Sequence, residues 1–318
     1  MSVAFKQTTF APISLERGER AIATAYNESG EQYVAYADGD PNKLYEFDGQ
    51  YAFGDSRTWA RIDDMLCTLR ATGSRIIHIL DLGCGPGTWL RRVVLRAHEL
   101  GFLSITARGT DIADEQIGRA RAMAQDLAAI SGITLTFDVA DIREKLPEAA
   151  NSVDLCLCLY GVLNHVPSDS LEAVLAEIGR VTRGQFVTTV RSSGSTPTIY
   201  VDSVERARHF HQDNRLDRMN VELVNGNHIS FHSHLFSSSE LRALASYYFE
   251  IDDICGLDLF HGRFAADSRW NPPSATGTCL LSKELDRLES RYCRDPEFID
   301  HATHLMLVAR HQTERSSS

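Results

Sequence analysis

The sequence lacks the features that mark secreted and membrane-spanning proteins. Its seven cysteines are scattered and contain no Cys-x-x-Cys pair, so we expect buried free thiols in a reducing compartment. No stretch approaches the roughly 18 uninterrupted apolar residues of a membrane span, and the first residues lack a basic segment followed by an apolar one. We therefore expect a cytoplasmic protein with no membrane partner.

An excess of positive charge is also missing. The 32 Lys and Arg residues stand against 43 Asp and Glu residues, which gives a formal net charge of −11. Neutralisation of phosphates by Lys and Arg provides most of the nonspecific affinity for nucleic acid. The sequence thus predicts no nucleic-acid partner.

What is present is the composition of a folded globular protein. Of the 318 residues, 43% are hydrophobic and 24% are charged, which excludes a disordered or fibrous chain. The length is sufficient for one elaborated domain or for two. Whether a homo-oligomer forms is left open.

The middle of the chain alternates short β-branched apolar runs with longer helical stretches. The predicted strands are residues 75–81, 103–111, 133–139, 153–159 and 185–191. The predicted helices between them are residues 88–100, 114–130 and 171–181. Strands joined by helical segments of this length favour a parallel sheet with helices on both faces, because parallel neighbours need crossover connections. The pattern therefore predicts an α/β, Rossmann-like core.

The regions on either side of this core follow other patterns. Asn225-Gly226 lies between two alternating runs and predicts a β-hairpin, which we interpret as an insertion forming a substrate lid. The segment from Tyr33 to Trp59 has loop composition with many aromatic residues. The later predicted elements are a helix at 239–247, strands at 249–257 and 304–311, and a helix at 283–292. The expected division is a helical amino-terminal arm (1–72), a core (73–192), the inserted hairpin (193–236) and carboxyl-terminal strands that complete the sheet (237–318).

A glycine cluster follows the first predicted strand and opens the first helix. Residues 81–87 read Asp-Leu-Gly-Cys-Gly-Pro-Gly. Glycines at alternate positions permit a tight turn and let the backbone approach a ligand. The Gly-x-Gly-x-Gly spacing differs from the Gly-x-Gly-x-x-Gly of dinucleotide folds, and the acidic Asp81 disfavours a phosphate ligand.

This cluster resembles the first motif of the class I S-adenosylmethionine (SAM)-dependent methyltransferases. The resemblance implies a seven-stranded sheet whose last strand is antiparallel, with SAM as cofactor and S-adenosylhomocysteine as product. In that family the loop holds the methionine part of a cation, which suits Asp81. The family places a ribose-binding carboxylate at the position of Asp111 and an adenine-binding pair at Asp141 and Ile142. The alternative use of the two aspartates is to cap the helices or turns that follow.

The resemblance continues at other strand ends. Leu159, Tyr160 and Gly161 close the fourth strand, where the family places the transferred methyl. The cofactor contacts that the resemblance implies are Arg57, Asp81, Gly83, Gly85, Gly87, Asp111, Ile112, Asp141, Ile142, Leu159 and His165.

Two runs before the core are similar to the amino-terminal arm of the glycine N-methyltransferase family. They are residues 36–40 and 53–59, which read Tyr-Ala-Asp-Gly-Asp and Phe-Gly-Asp-Ser-Arg-Thr-Trp. This similarity implies that Tyr33, Tyr36 and Tyr45 bind the substrate, and that Arg57 pairs with the carboxylate of SAM. The alternative is an aromatic cluster that packs the arm on the sheet.

Arg191 and His165 are the remaining candidates. Arg191 ends the fifth predicted strand, where glycine N-methyltransferases have an arginine that binds the substrate carboxylate; the alternative is a surface salt bridge. His165 aligns with a family histidine near the methionyl end of the cofactor, or else caps the following helix. We name His165, Tyr36 and Tyr160 as candidate catalytic residues, and the first two as candidate bases.

The expected function is SAM-dependent methylation of a small molecule, preferably at the nitrogen of an amine or amino acid that bears a carboxylate. Methylation of a small metabolite at oxygen, methylation of a protein side chain, and SAM binding without catalysis remain as alternatives. No metal is expected, because the histidines at 228, 232 and 234 lack a Cys or carboxylate to complete a ligand set.

Overall fold

A computed structural model describes residues 15–28, 44–47, 51–195, 207–261 and 280–312. The α-helices in these ranges are α1 Leu15–Glu28, α2 Ala52–Ala71, α3 Thr88–Glu99, α4 Asp114–Met123, α5 Ser168–Val181, α6 Ser238–Ser246 and α7 Leu280–Tyr292. The strands are β1 Ile76–Leu82, β2 Ser104–Asp111, β3 Ile133–Val139, β4 Val153–Cys158, β5 Thr182–Arg191, β6 Ala207–Asp213, β7 Arg218–Leu223, β8 His228–His232, β9 Phe249–Leu257 and β10 His304–His311.

Seven strands form the main sheet in the order β3-β2-β1-β4-β5-β10-β9. The five strands β1 to β5 are parallel, whereas β10 runs antiparallel to both of its neighbours. The expectation of a seven-stranded sheet with an antiparallel last strand is confirmed. The parallel strands end together at one edge, which we call the carboxyl edge, and ligands of such sheets bind there.

Helices cover both faces of this sheet. On one face, Ile62 of α2 and Leu90 of α3 are fully buried in a cluster that also includes residues of β1, β2 and β4. On the other face, Leu175 of α5 packs in a second cluster, where Phe186 and Phe249 stack with ring centroids 5.0 Å apart. No described helix is long and apolar enough to cross a membrane.

The segment predicted as a hairpin is a small antiparallel sheet with the order β6-β7-β8. Asn225 and Gly226 lie in the turn between β7 and β8, and Gly226 has a φ of 85°. Strand β6 is an addition to the predicted hairpin. Helix α1 packs on this sheet through Ala25, which lies in one cluster with Met219 and Phe231. The role of this segment as a lid stays a prediction, as do the proposed domain boundaries.

Two predicted segments have different boundaries in the structure. Residues 52–59 were expected in a loop and instead form the first turns of α2, because Trp59, Ile62 and Leu66 recur at helical spacing and bury one face. The helix predicted over 114–130 ends at Met123. There the side chain of Asp126 accepts a hydrogen bond from the backbone of Leu127 (3.0 Å) and begins a separate 3-10 turn.

Candidate active site

The glycine loop joins β1 to α3 at the carboxyl edge. Gly83, Gly85 and Gly87 have φ values of 70°, 53° and 81°, a conformation that other residues rarely adopt. A Cβ atom at Gly83 would lie 2.2 Å from Cγ2 of Val162, so only glycine fits there. The backbone N–H of Cys84 donates to the carbonyl of Thr110 (2.9 Å) and ties the loop to β2. The loop is therefore shaped as the sequence predicted for close approach of a ligand.

Asp81 lies in β1 directly before this loop and is only 2% exposed. Its Oδ2 atom is buried and has no hydrogen-bond partner among the described residues. Burial, together with the nearby carboxylate of Asp111, raises the pKa of Asp81 to about 7. A cationic ligand beside this carboxylate would satisfy the orphaned oxygen and stabilise its ionised form.

Asp111 connects the glycine loop to the start of α4. Its carboxylate accepts the backbone N–H of Gly85 at 2.8 Å and that of Ala113 at 2.9 Å. Burial raises its pKa. The capping alternative is therefore part of its role, since Ala113 directly precedes α4. The predicted ribose contact stays a prediction, and Ile112 is half-buried beside it.

Asp141 is engaged by its own neighbour. Its carboxylate accepts the backbone N–H of Arg143 at 2.9 Å and is paired with the Arg143 guanidinium, which lowers the pKa of Asp141. The turn-capping alternative describes this arrangement, so an adenine amine would have to share an oxygen that already accepts from Arg143. Ile142 packs against the second core cluster.

The residues after β4 lie between the glycine loop and β5. Leu159 is 4% exposed and belongs to the core. Tyr160 has a φ of 58°, an uncommon value for a residue with a side chain. Its backbone N–H donates to Oγ1 of Thr189 (2.7 Å), its hydroxyl donates to Asp55, and its ring lies 5.7 Å from that of Trp89. These contacts fix the Tyr160 ring at the carboxyl edge.

Tyr45 packs along α3. Its ring stacks on Trp59 with centroids 5.0 Å apart, and its hydroxyl donates to Glu99 (3.1 Å) at the end of α3. A helix rises about 1.5 Å per residue, so α3 separates Glu99 from the glycine loop by roughly 16 Å. The aromatic-packing alternative describes this position, and the predicted substrate contact of Tyr45 stays a prediction.

Arg57 is likewise directed away from the glycine loop. The buried face of α2 carries Gly54, Thr58 and Ile62, and Arg57 lies off that face. Its guanidinium donates to Oγ of Ser290 in α7 (2.6 Å) and lies 5.0 Å from the centre of the Phe53 ring. The predicted contact of Arg57 with the cofactor carboxylate stays a prediction. Tyr33 and Tyr36 lie outside the described residues.

His165 joins the core to the two added elements. Its Nδ1 donates to the carbonyl of His232 (2.8 Å), since a carbonyl only accepts, and its Nε2 then accepts from the hydroxyl of Tyr26 in α1 (2.9 Å). Burial lowers the pKa of His165 to about 4. The imidazole is thus neutral with both nitrogens bonded, an arrangement that positions α1 and β8 rather than presenting a base.

Arg191 ends β5 and is only 2% exposed, so the surface salt bridge considered for it is wrong. One guanidinium nitrogen donates to Oγ of Ser195 (3.2 Å), and Nε is buried without a partner. Within the described residues no Asp or Glu forms an ion pair with it. Asn164 accepts the backbone N–H of Arg191 (2.9 Å) and donates to its carbonyl (3.1 Å), which holds this strand end in place.

A cavity beside Arg191 contains residues that sequence reasoning missed. Its interior volume is about 10 Å³, which leaves room for about one water-sized group, and its lining includes Asp55, Tyr160, Thr189, Asp258 and His304. We call it the acidic cavity. One feature of the sequence could have indicated this cavity. Asp258 directly follows β9, and other candidate site aspartates also occur at strand ends. His304 opens β10, and no sequence pattern linked it to the site.

The charges in the acidic cavity are strongly perturbed. Burial raises the pKa of Asp55 to about 6, against the hydrogen bond from Tyr160 and the positive charge of Arg92. Burial and the neighbouring Glu289 raise the pKa of Asp258 to about 8. Burial and the positive charge of Arg191 lower the pKa of His304 to about 3, so this histidine is neutral. No described group of three or more His, Cys, Asp or Glu residues is arranged to hold a metal ion.

The sequence of the core matches a known family. Residues 79–185, about a third of the chain, match the sequence model of a family described as a methyltransferase domain. The protein is an enzyme of the methyltransferase class, and SAM is the cofactor of this family. The matched segment begins within β1, ends within β5 and includes the glycine loop.

Two solved structures are similar to this chain. A SAM-dependent methyltransferase from Clostridium acetobutylicum shares 11% identity over 89% of this chain and 99% of its own, with a TM-score of 0.51. Magnesium protoporphyrin IX methyltransferase from Synechocystis shares 15% identity over 96% of this chain and 100% of its own, with a TM-score of 0.49. The comparison with curated proteins found no match.

Proposed function

We propose that the protein transfers a methyl group from SAM to the nitrogen of a small-molecule amine or amino acid that bears a carboxylate. The buried guanidinium of Arg191 carries this proposal. Among the described residues this cation has no acidic partner, and because desolvating an unpaired cation is costly, a ligand that supplies the anion would stabilise it. Its position at the carboxyl edge, next to Tyr160 and Gly161, is where an acceptor would meet the cofactor.

The described residues fit the cofactor at the methionine end. Asp81 has a buried oxygen without a partner among the described residues, which suits a cation, and the glycines of the loop present no side chain to a ligand. Asp111 would hold the ribose hydroxyls. When bound, SAM supplies an electrophilic methyl group on a sulfonium, so the protein needs mainly to align the acceptor and exclude water.

In this proposal Arg191 orients the acceptor. A guanidinium binds a carboxylate through two parallel hydrogen bonds, which fix direction as well as position. Gly161 lies beside the aliphatic part of this side chain, since a Cβ there would lie 3.7 Å from Cγ of Arg191 and 3.1 Å from Oδ1 of Asn164. The strand end is thus rigid, and the bound carboxylate would place its amine towards the space beside Tyr160.

The proposal also includes the cellular location and the partners of the enzyme. We propose a cytoplasmic enzyme that acts on small molecules, without a nucleic-acid or membrane partner. Methylation at oxygen, methylation of a protein side chain, and SAM binding without transfer are the competing functions. Each gives its own result when purified protein and labelled SAM are incubated with amino acids, hydroxy acids, phenols and peptides.

The variant Arg191→Gln tests the proposal. We expect the KM of a carboxylate-bearing acceptor to rise about 10- to 100-fold, because hydrogen bonds to a charged group contribute roughly 1.5–3 kcal/mol. SAM affinity, measured by calorimetry, should stay unchanged. Arg310→Gln is the matched control. Arg310 lies near the end of β10, away from the site, and pairs on the surface with Glu250. A selective loss of SAM affinity in Arg191→Gln would assign this arginine to the cofactor and contradict the proposal.

A further inference from the structure

We propose that the acidic cavity binds the ammonium group of the acceptor and that Asp258 accepts a proton from it. This inference rests on the proposed function, because it supplies the second half of a site for an amino-acid-like zwitterion. The two carboxylates of the cavity, Asp55 and Asp258, lie outside residues 79–185, the segment that matches the methyltransferase family model.

Asp258 is held in a specific and unusual position. It is 1% exposed and has a φ of 56°, a conformation that places it directly after β9 with its side chain in the cavity. Its Oδ1 accepts the backbone N–H of Gly54 in the first turn of α2 (3.1 Å). No donor among the described residues bonds to its Oδ2. A Cβ at Gly54 would lie 2.4 Å from Oδ2, so glycine is needed for this approach.

The cavity has the electrostatics of a cation site. The described residues that line it include two carboxylates and neither Lys nor Arg. Glu289 adds a third negative group behind Asp258, and its own carboxylate accepts the backbone N–H groups of Phe260 (2.7 Å) and His261 (3.0 Å). His304 is neutral. Without a cation beside it the carboxyl of Asp258 is largely protonated at neutral pH, and an ammonium group entering the cavity would stabilise its ionised form.

The cavity and Arg191 lie side by side. His304 lines the cavity and is the direct antiparallel partner of Arg191 in the pairing of β10 with β5. Directly opposed residues of antiparallel strands have Cα atoms about 5 Å apart and project their side chains to the same face. A cation site next to a buried guanidinium matches a compound whose ammonium and carboxylate groups are separated by a short carbon chain.

Asp258 is the better placed of the two carboxylates to take the proton. The hydroxyl of Tyr160 already donates to Asp55, which commits one of its oxygens to holding the ring. At Asp258, one N–H bond of the ammonium breaks and one O–H bond forms at Oδ2. The nitrogen keeps the electron pair and becomes a neutral amine able to attack a methyl group. The raised pKa of Asp258, about 8, brings its proton affinity closer to that of an amine.

The test separates the two charged groups of the acceptor. Asp258→Asn keeps an oxygen for the Gly54 N–H and removes the charge. Two readouts are needed: kcat/KM for a carboxylate-bearing amine that the wild-type enzyme methylates, and the inhibition constant of the same compound lacking its amine. We expect Asp258→Asn to lower kcat/KM about 100-fold or more and to leave inhibition by the deaminated acid unchanged. Arg191→Gln should lower kcat/KM for the amine and also weaken inhibition by the deaminated acid.

Controls keep the outcomes distinct. Asp252→Asn removes a carboxylate of β9 that pairs with Arg310 outside the cavity, and it should change neither readout. Asp55→Asn is a second test of the cavity. We expect it to raise the KM of the carboxylate-bearing amine and to leave inhibition by the deaminated acid unchanged. If wild-type enzyme methylates the amine and both cavity variants retain its kcat/KM, the inference is overturned. If the wild-type enzyme methylates no carboxylate-bearing amine, the proposed function fails instead.

Discussion

The buried carboxylate of Asp258 makes a quantitative prediction about stability. Its pKa rises from 3.8 to about 8 on folding, because burial and the nearby Glu289 and Asp55 disfavour the charged form. At about 1.4 kcal/mol for each tenfold change in proton affinity, this rise corresponds to an upper limit of about 6 kcal/mol. Replacing Asp258 with Asn removes the charge and retains an acceptor for the Gly54 N–H.

The sign of the effect follows from proton binding. Between about pH 4 and pH 8 the folded protein holds a proton on Asp258 that the unfolded chain has released, so stability falls as pH rises through this range. From about pH 5 to about pH 8 the wild-type protein should lose up to about 4 kcal/mol through this group. Asp258→Asn should lose none of that amount. At pH 8 the variant is expected to be the more stable protein.

Urea unfolding of both proteins at a series of pH values measures this difference. Taking the variant minus the wild type isolates Asp258 from Asp55 and Asp81, whose raised pKa values act in the same direction. The two unfolding free energies should converge towards pH 4 and separate towards pH 8. A difference that is constant across the range, or a variant less stable at pH 8, would refute the description of Asp258 as a destabilising buried charge.

Three further outcomes are expected. SAM affinity, measured by calorimetry, should rise as pH increases towards about 7, because a cationic ligand favours ionised Asp81; an affinity that does not change with pH would contradict this role. Gly83→Ala should destabilise the fold by about 1–3 kcal/mol in thermal unfolding, since its Cβ would overlap Val162, and an unchanged melting temperature would refute the loop geometry. Tyr45→Phe should cost less than about 1 kcal/mol of stability and leave the acceptor KM unchanged, whereas a raised KM would place Tyr45 in the substrate site.

The cofactor half of the site was predictable because its signals are local. The glycine loop and Asp111 lie within a few residues of strand ends, and alternation of strands and helices identifies those ends from the sequence. The geometry adds what spacing does not show: Asp111 also holds the loop through Gly85, and Asp141 is occupied by Arg143.

The acceptor half was predictable only in part. Arg191 was identified at its strand end, but the resemblance of the arm did not predict that Arg57 contacts Ser290, because the packing of α2 decides which way its side chains face. The acidic cavity depends on contacts between distant segments. Gly54 and Asp258 are 204 residues apart and meet only because β9 and α2 reach the same edge.

Methyl transfer to a matched set of acceptors tests the central claim most directly. The set consists of an amino acid, the hydroxy acid that replaces its amine, and the amine that lacks its carboxylate, each incubated with labelled SAM and wild-type enzyme. We predict transfer to the amino acid, with kcat/KM about tenfold or more lower for the decarboxylated amine and no transfer to the hydroxy acid. Preferred transfer to the hydroxy acid, or equal transfer with and without the carboxylate, would contradict the assignment of Arg191 and of the acceptor nitrogen.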